Sequence, residues 1–585
     1  MSQKNEITYP APYTVKDGSL FIRKTNKGGE YTKKLCNFTP YIVREVCVDD
    51  GAGVNTMLTL GGSRENGSAL PEIEIKGSEL SGFNWLIEKW GAGCVIEVGT
   101  TAKDSIRHAI QLTAKNASRE TEYAVTGWKE IDGQYCFLLP GDPRFTVRLK
   151  DRLTRYETAA CFSREDLQLL PVLFTDYLPA PKSVCWPLLA LVFLSPLNEF
   201  LHRANCEPKF VTMLLGRTGT RKSTLAALFL SFFGRFTASD LPLSFRDTAK
   251  SIVYNLFTLK DVLTCIDDFH PCGRKEEQAL TATAQDVLRA YGDRAGRGKL
   301  RSDSTTMASR RPQGNAIITA EYSPNVGESG IARSFALELK EGDVDLTNLS
   351  LLQRQAQEGL LRRCMYAYTQ WLAAKYLKDR ESADRFISLL AGRFECYRNH
   401  FNNSGIPCHG RVPEIVAWFR IGLEFYCKYL VDVQVMSAEE SADMQKEFRE
   451  LLYAHARKQA ASVSEQKPTV IFICKLFSLL ESGRACVLDR FENCAFPPSN
   501  LIGYEDNEWY CLYADQAHRE VKKLCEEQGE LFSCSKQSLL KALAEEGLIE
   551  TADGQNTRPV RVGSKTKRLL CLNKEKAKAI YDRYA

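Results

Sequence analysis

The chain has little net charge for its size. Its 77 Lys and Arg against 72 Asp and Glu leave only +5 over 585 residues, so any nucleic-acid surface must come from local clusters and not from global charge. It also lacks a long apolar run. The most apolar stretch, residues 184–195, is too short to cross a membrane and runs straight into Pro196. The opening residues, MSQKNEITYP, hold none of the apolar core that a signal peptide needs. Cysteine is plentiful at 20, but no two cysteines are spaced CxxC. Without a secretion signal they read as reduced thiols acting as small buried hydrophobes in a cytoplasmic protein with no membrane partner. Cys396, His400, Cys408 and His409 alone have loosely ligand-like spacing, and they read as ordinary helix and loop residues. Hydrophobic content of 44 % and charged content of 25 % are those of a globular protein, and the length exceeds one core.

What is present centres on residues 210–224, FVTMLLGRTGTRKST. An apolar run reads as a buried parallel strand and stops at Gly216. Gly216, Arg217, Thr218, Gly219, Thr220, Arg221, Lys222, Ser223 and Thr224 then nearly match the phosphate-binding pattern GxxxxGKS/T, and a helical pattern follows over residues 223–233. Backbone N–H groups of such a loop converge on one spot, where the helix dipole favours anions. Lys222 is placed to reach the outer phosphates of ATP and Ser223 to ligate Mg²⁺. The position before Lys222 is usually Gly. Arg221 carries a Cβ there, so its side chain must project away from the phosphates.

A second apolar strand, residues 261–269, ends in Asp267 and Asp268, about 45 residues after Lys222. Asp267 is the candidate to share Mg²⁺ with Ser223, and Asp268 to orient or deprotonate the attacking water. A third strand, residues 315–321, carries Thr319 and Glu321; either could sense the γ-phosphate. Arg333, before a strand at residues 335–339, suits a charge that reaches an adjacent subunit's nucleotide. Between the second and third strands lies a basic, Gly-containing stretch with Arg294, Arg297, Lys299 and Arg301, continuing to Arg310 and Arg311. It reads as a loop gripping a nucleic-acid backbone.

The remaining pattern predicts five regions. Residues 1–125 form a β-rich domain with strands at 41–48 and 57–60 and helices at 81–90 and 102–115; its scattered basic and aromatic residues read as a solvated edge. Residues 126–181 form a connector with a hairpin about Asp132-Gly133. Residues 182–345 alternate helix and strand, an α/β P-loop ATPase domain opening with a helix at 183–202. Residues 346–465 are helical, with helices at 351–375 and 438–461. Residues 466–585 end in helices and a basic hairpin, a winged-helix pattern with Arg558, Arg561, Lys565, Lys567 and Arg568 on or near the wing. A winged helix of this kind can also dock a protein.

Taken together, TGWKEIDGQYCFLLPG, GRTGTRKST, CIDDFHP, YGDRAGRGKLRSD, IITAE, ARSFALEL and the stretch from IGYEDNEWYCLY through EEGLIE resemble the helicase family of phages, plasmids, integrative elements and staphylococcal cassette chromosomes. The resemblance covers most of residues 120–345 and 500–572. It implies an AAA+ fold, use of ATP and Mg²⁺, a hexameric ring, and unwinding of single-stranded and forked DNA substrates in replication of a mobile element beside other replication proteins. The chain is also similar to archaeal and eukaryotic replicative helicases in ending with a winged helix. The alternative is an AAA+ origin-binding initiator or loader without processive unwinding. A P-loop kinase would need neither the basic loop nor the winged helix.

Overall fold

The computed structural model describes the chain apart from residues 1–7, 271–272, 295–298, 301–305, 308–309, 325, 327–329, 407, 466, 493–495, 529, 531, 533, 552–554, 564 and 585. The first region is β-rich, as its turn signals predict. A three-stranded sheet (Tyr13–Lys16, Ser19–Asn26, Gly29–Cys36) adjoins a five-stranded one built on Phe38–Asp49 and Val54–Arg64. The helix Ala102–Thr113 buries Ile106, Ala109 and Ile110 against this sheet. The helix expected over residues 81–90 shrinks to a short π-helix, Leu86–Trp90, because Phe83 takes a left-handed φ of 58°. Asp132 and Gly133 both have positive φ, 51° and 77°. That is the primed turn that closes the Gly127–Ile131 and Gln134–Leu138 hairpin.

The centre is a parallel five-stranded sheet: β1 (Val211–Leu215), β2 (Leu243–Ser244), β3 (Leu263–Phe269), β4 (Asn315–Ala320) and β5 (Ser334–Glu338), in the order β2-β3-β4-β1-β5. All five residues of β1 are buried, as expected of a central strand covered on both faces. Helix α1 (Lys222–Leu230) follows β1 with every residue from Leu225 to Leu230 buried. Helix α2 (Arg274–Asp293) follows β3. A two-stranded antiparallel hairpin, Lys299–Leu300 with Thr306–Met307, lies between α2 and β4.

Beyond β5 the chain is helical up to Glu481. The predicted helix over residues 351–375 is two, Leu346–Gln357 and Leu360–Tyr376, broken where Gly359 takes a φ of 88°. A long helix, α3 (Ala438–Glu465), returns to the sheet, where Gln459 donates to the Ser334 carbonyl at 2.6 Å. One apolar core runs from Trp128 to Ala456. The connector, the sheet and the helical region therefore bury their apolar residues together. The helical stretch Lys182–Arg203 is long and apolar enough to cross a membrane, but 94 % of its most apolar window is buried in this core.

The C-terminal region sets the helices Ala514–Glu527 and Lys536–Glu545 against a sheet ending in the hairpin Arg558–Val562 with Lys565–Asn573. Ser535 caps the second helix from its side chain. The sheet has five strands, three more than the hairpin that the sequence pattern predicts.

Candidate functional site

The phosphate loop joins the end of β1 to the start of α1. A Cβ on Gly216 would stand 2.5 Å from the Leu339 carbonyl oxygen, so only glycine fits there. Gly219 has a φ of 91°. Arg221 takes φ 63° and ψ 25° with its side chain exposed. It holds in the left-handed region the place that glycine usually fills, at a cost of about 1 kcal/mol.

Lys222 folds back over this loop. Its Nζ donates to the carbonyls of Gly216 at 2.6 Å and Arg217 at 2.9 Å. Burial lowers its pKa below the ordinary lysine value. Ser223 Oγ donates to Asp267 Oδ1 at 2.8 Å, and Thr319 Oγ1 donates to the same oxygen at 2.5 Å. The two acids point different ways because β3 is irregular between Ile266 and Phe269 and Asp268 takes a φ of 67°. Asp267 turns in towards the loop. Asp268 turns out, 42 % exposed, and pairs with Arg246 at 3.2 Å. The Asp268 N–H donates to Thr319 Oγ1 at 3.1 Å, so one buried threonine ties both carboxylate residues to β4.

Glu321, just past β4, accepts from Thr218 Oγ1 and lies 3.0 Å from His270 Nδ1. The Thr218 hydrogen bond, with the His270 charge adding to it, holds the Glu321 carboxyl below its ordinary range. Thr218, Lys222, Ser223, Asp268, His270 and Glu321 are among the residues lining a cleft of about 300 Å³. A larger cleft, about 870 Å³, opens on the other side of the loop between the ends of β1 and β5 and α3. The sequence-predicted residues of the phosphate loop and of strands β3 and β4 are thus brought to one place. Arg246 and His270 were missed. His270 follows the acid pair by two positions, a usable local signal, whereas Arg246 follows a two-residue strand with no pattern of its own.

The hydroxyl of Ser223 and the carboxylate of Asp267 are hard oxygen donors on facing elements, a set that fits Mg²⁺. The Lys222 ammonium, at the first residue of α1, fits phosphate. Among the described residues no group of three or more His, Cys, Asp or Glu could hold a metal, which includes the described members of the Cys396–His409 stretch.

Arg333 sits apart from this cleft. Its carbonyl accepts from Val211 N, at the start of β1, while the phosphate loop leaves the other end of that strand. Its guanidinium pairs with Asp293 at 2.9 Å, and its side chain is 15 % exposed.

The basic stretch divides. Arg294 is corrected from a nucleic-acid contact to a structural residue. It caps α2 with a φ of 44° and is 6 % exposed. Its guanidinium donates to the carbonyls of Pro208 and Pro312, both at 2.7 Å. Arg311 pairs with Glu207 at 2.7 Å and Arg310 with Asp50 at 2.8 Å. Arg297 and Arg301 lie outside the described residues, and of Lys299 only the backbone strand is described.

On the C-terminal hairpin, Arg561, Lys565 and Arg568 are exposed. Arg558 and Lys567 are corrected to inward contacts. Arg558 pairs with Glu550 at 2.6 Å and stacks on Trp509, and Lys567 donates to the hydroxyls of Tyr504 and Tyr513 at 2.8 and 2.6 Å. In this two-stranded register both residues lie on the opposite face from Arg561 and Arg568.

No family model matches the chain, and no curated protein matches it. A solved structure described as the SCCmec type IV Cch active helicase is similar over 98 % of this chain and 99 % of its own, with a TM-score of 0.57 and 15 % identity. The two chains share a fold from end to end. A JCV helicase structure matches 52 % of this chain and 78 % of its own at 14 % identity, and its TM-score of 0.19 is too low to carry an argument.

Proposed function

We propose that the chain is an ATP-dependent DNA helicase: an AAA+ ATPase working as a hexameric ring on single-stranded and forked DNA in replication of a mobile genetic element. One observation carries the reading. Lys222, Ser223, Asp267, Asp268 and Thr319 converge at the C-terminal ends of β1, β3 and β4, in a sheet whose third and fourth strands are separated by a hairpin within a basic stretch. A phosphate loop with paired acids supports ATP hydrolysis, and the inserted basic hairpin supports coupling to a nucleic-acid backbone. The end-to-end likeness to a structure described as an active helicase agrees with this.

In this reading the loop amides and Lys222 hold the phosphates, with Ser223 and Asp267 as the residues that would hold Mg²⁺. When bound, the ion neutralises charge on the outer phosphates. Thr319 keeps Asp267 turned towards Ser223 and fixes the Asp268 backbone. Asp268 takes the proton of the attacking water, and Glu321, held at the mouth by Thr218 and His270, senses the γ-phosphate. Arg333 faces away from its own cleft and serves a neighbour's. Arg297, Lys299 and Arg301 of the inserted basic stretch grip DNA, and Arg561, Lys565 and Arg568 contact its backbone.

Turnover of ATP should rise when single-stranded DNA is added, and ATP should drive strand displacement on a fork. DNA-stimulated turnover without displacement would favour an initiator or loader, and turnover indifferent to DNA would sink both. The ring is tested by mixing two variants. Arg333→Ala and Asp268→Asn should each bind ATP and hydrolyse it poorly; an arginine supplied between subunits is worth about 10³–10⁵ in rate. Their mixture should recover part of the activity. Confirmed subunit exchange with no recovery would show that Arg333 does not act between subunits.

A further inference from the structure

The C-terminal end of α2 brings together two parts that the proposed function treats separately. Asp293 is its last residue, and its carboxylate holds the Arg333 guanidinium at 2.9 Å. The next residue, Arg294, begins the segment that carries the basic hairpin, and its side chain donates to the carbonyls of Pro312 and Gly314, which follow the hairpin, and of Pro208, which precedes β1. Gly292 completes the seat. A Cβ there would stand 2.2 Å from Arg333 Cδ and 2.3 Å from Nε, so the arginine side chain lies flat against the helix only because this position is bare. From the helical region, Arg411 donates to the Gly292 carbonyl at 2.9 Å and reaches Asp293 at 3.7 Å. The other end of α2 lies five residues beyond Phe269, where β3 delivers Asp267 and Asp268.

We propose that Asp293 is a positioning residue that stows Arg333 against its own subunit, and that DNA on the hairpin releases it. This inference rests on the reading of Arg333 as the residue that completes a neighbouring nucleotide site. Two features argue for a stowed state. The guanidinium is turned back onto α2 of its own chain and is only 15 % exposed, whereas a residue serving a neighbour must project. The stowing carboxylate is next in sequence to Arg294, whose guanidinium ties the end of α2 to the Pro312 and Gly314 carbonyls leading from the hairpin into β4, so a displacement of this clamp moves Asp293. A load on the hairpin thus changes the seat of Arg333, and ATP turnover next door responds to DNA.

The test measures kcat and KM for ATP in the full chain with and without single-stranded DNA. Asp293→Asn removes the stowing charge, and Gly292→Ala pushes the Arg333 side chain off the helix without changing any charge. Each should raise the DNA-free kcat about three- to five-fold, the range that a partly exposed ion pair is worth, with KM unchanged. The factor by which DNA stimulates turnover should fall correspondingly. Asp293→Glu should restore most of that stimulation. Thermal unfolding of each variant identifies any that does not fold, and the folded one then decides. A wild-type stimulation factor in the folded variants, or a DNA-free kcat that falls, overturns the stowing. Arg333→Ala separates the two levels. If it turns over ATP normally, the neighbouring-site role fails and the stowing with it; if it is inactive while Asp293→Asn and Gly292→Ala keep normal stimulation, only the stowing falls.

Discussion

At the C-terminal ends of β1, β3 and β4 the ionisable side chains are only partly satisfied by their own chain. Asp268 is 42 % exposed and pairs with Arg246, whose side chain is 84 % exposed. At the N-terminal ends the charges are closed upon each other. Lys260 holds Asp261 at 2.5 Å, Glu199 at 3.1 Å and the Trp128 carbonyl at 2.8 Å. Asp261, 1 % exposed, accepts from Trp128 N at 2.9 Å, and burial pushes its carboxyl up to about 6 against the Lys260 charge. Beside it Glu207 gathers Arg311 and His202. The contrast is one of chemistry and not of residue type. Charges at one end stay open to solvent, and those at the other clamp the connector hairpin and the root of the basic stretch to the sheet.

If that contrast is right, substitutions at the two ends should separate activity from stability. Asp268→Asn should lower ATP turnover about 10²–10⁴-fold, the usual worth of a general base, with ATP binding and unfolding unchanged. Near-normal turnover would move the base elsewhere, to Glu321. Lys260→Met should do the reverse. It strands a buried carboxylate and should cost about 3–5 kcal/mol in denaturant unfolding, while the folded fraction still binds ATP. A small loss would mean that Asp261 simply takes up a proton.

Glu207 sharpens the same point through pH. Burial alone would raise its pKa, but the His202 hydrogen bond and the charges of Arg294 and Arg311 outweigh this and hold it at about 2. Its unfolded value is about 4.3. The folded state therefore binds fewer protons between those values. The stabilisation is complete above the unfolded value and is lost as pH falls towards 2. Glu207→Gln should make acid unfolding less steep in that window, and an unchanged acid limb would remove Glu207 from the clamp. The smallest effect is expected at Arg221→Gly, which relieves the left-handed strain and should raise stability by under about 1 kcal/mol. A loss there would show that the exposed arginine side chain makes a stabilising contact.

The elements that meet at the C-terminal ends of β1, β3 and β4 were legible because their parts are local. Strand, turn and helix fall within residues 210–233, and the acid pair ends an apolar run short enough to read as a buried strand. The Asp132-Gly133 hairpin was legible for the same reason, since two positive-φ residues choose the turn without outside help. The buried charges were not. Arg294 belongs to a basic, glycine-containing stretch and reads as solvent-facing, yet its partners are carbonyls 86, 18 and 20 residues away. Arg558 and Lys567 look like wing charges until the strand register turns them inward.

The sequence by itself determined the local pattern: the glycine-containing loop between a buried strand and a helix, the acid pair at the end of a second strand, and which apolar runs read as strands or helices. Those follow from neighbours along the chain, whose spacing sets their geometry. Only the tertiary structure decided the strand order β2-β3-β4-β1-β5, the turn of Asp267 inward and Asp268 outward, the pairing of Arg246 with Asp268, and the seat of Arg333 on Asp293. In each case a side chain's role depends on a group that folding brings from far along the chain, and whether a charge stays in water or is buried against a partner is settled only when the surrounding elements pack.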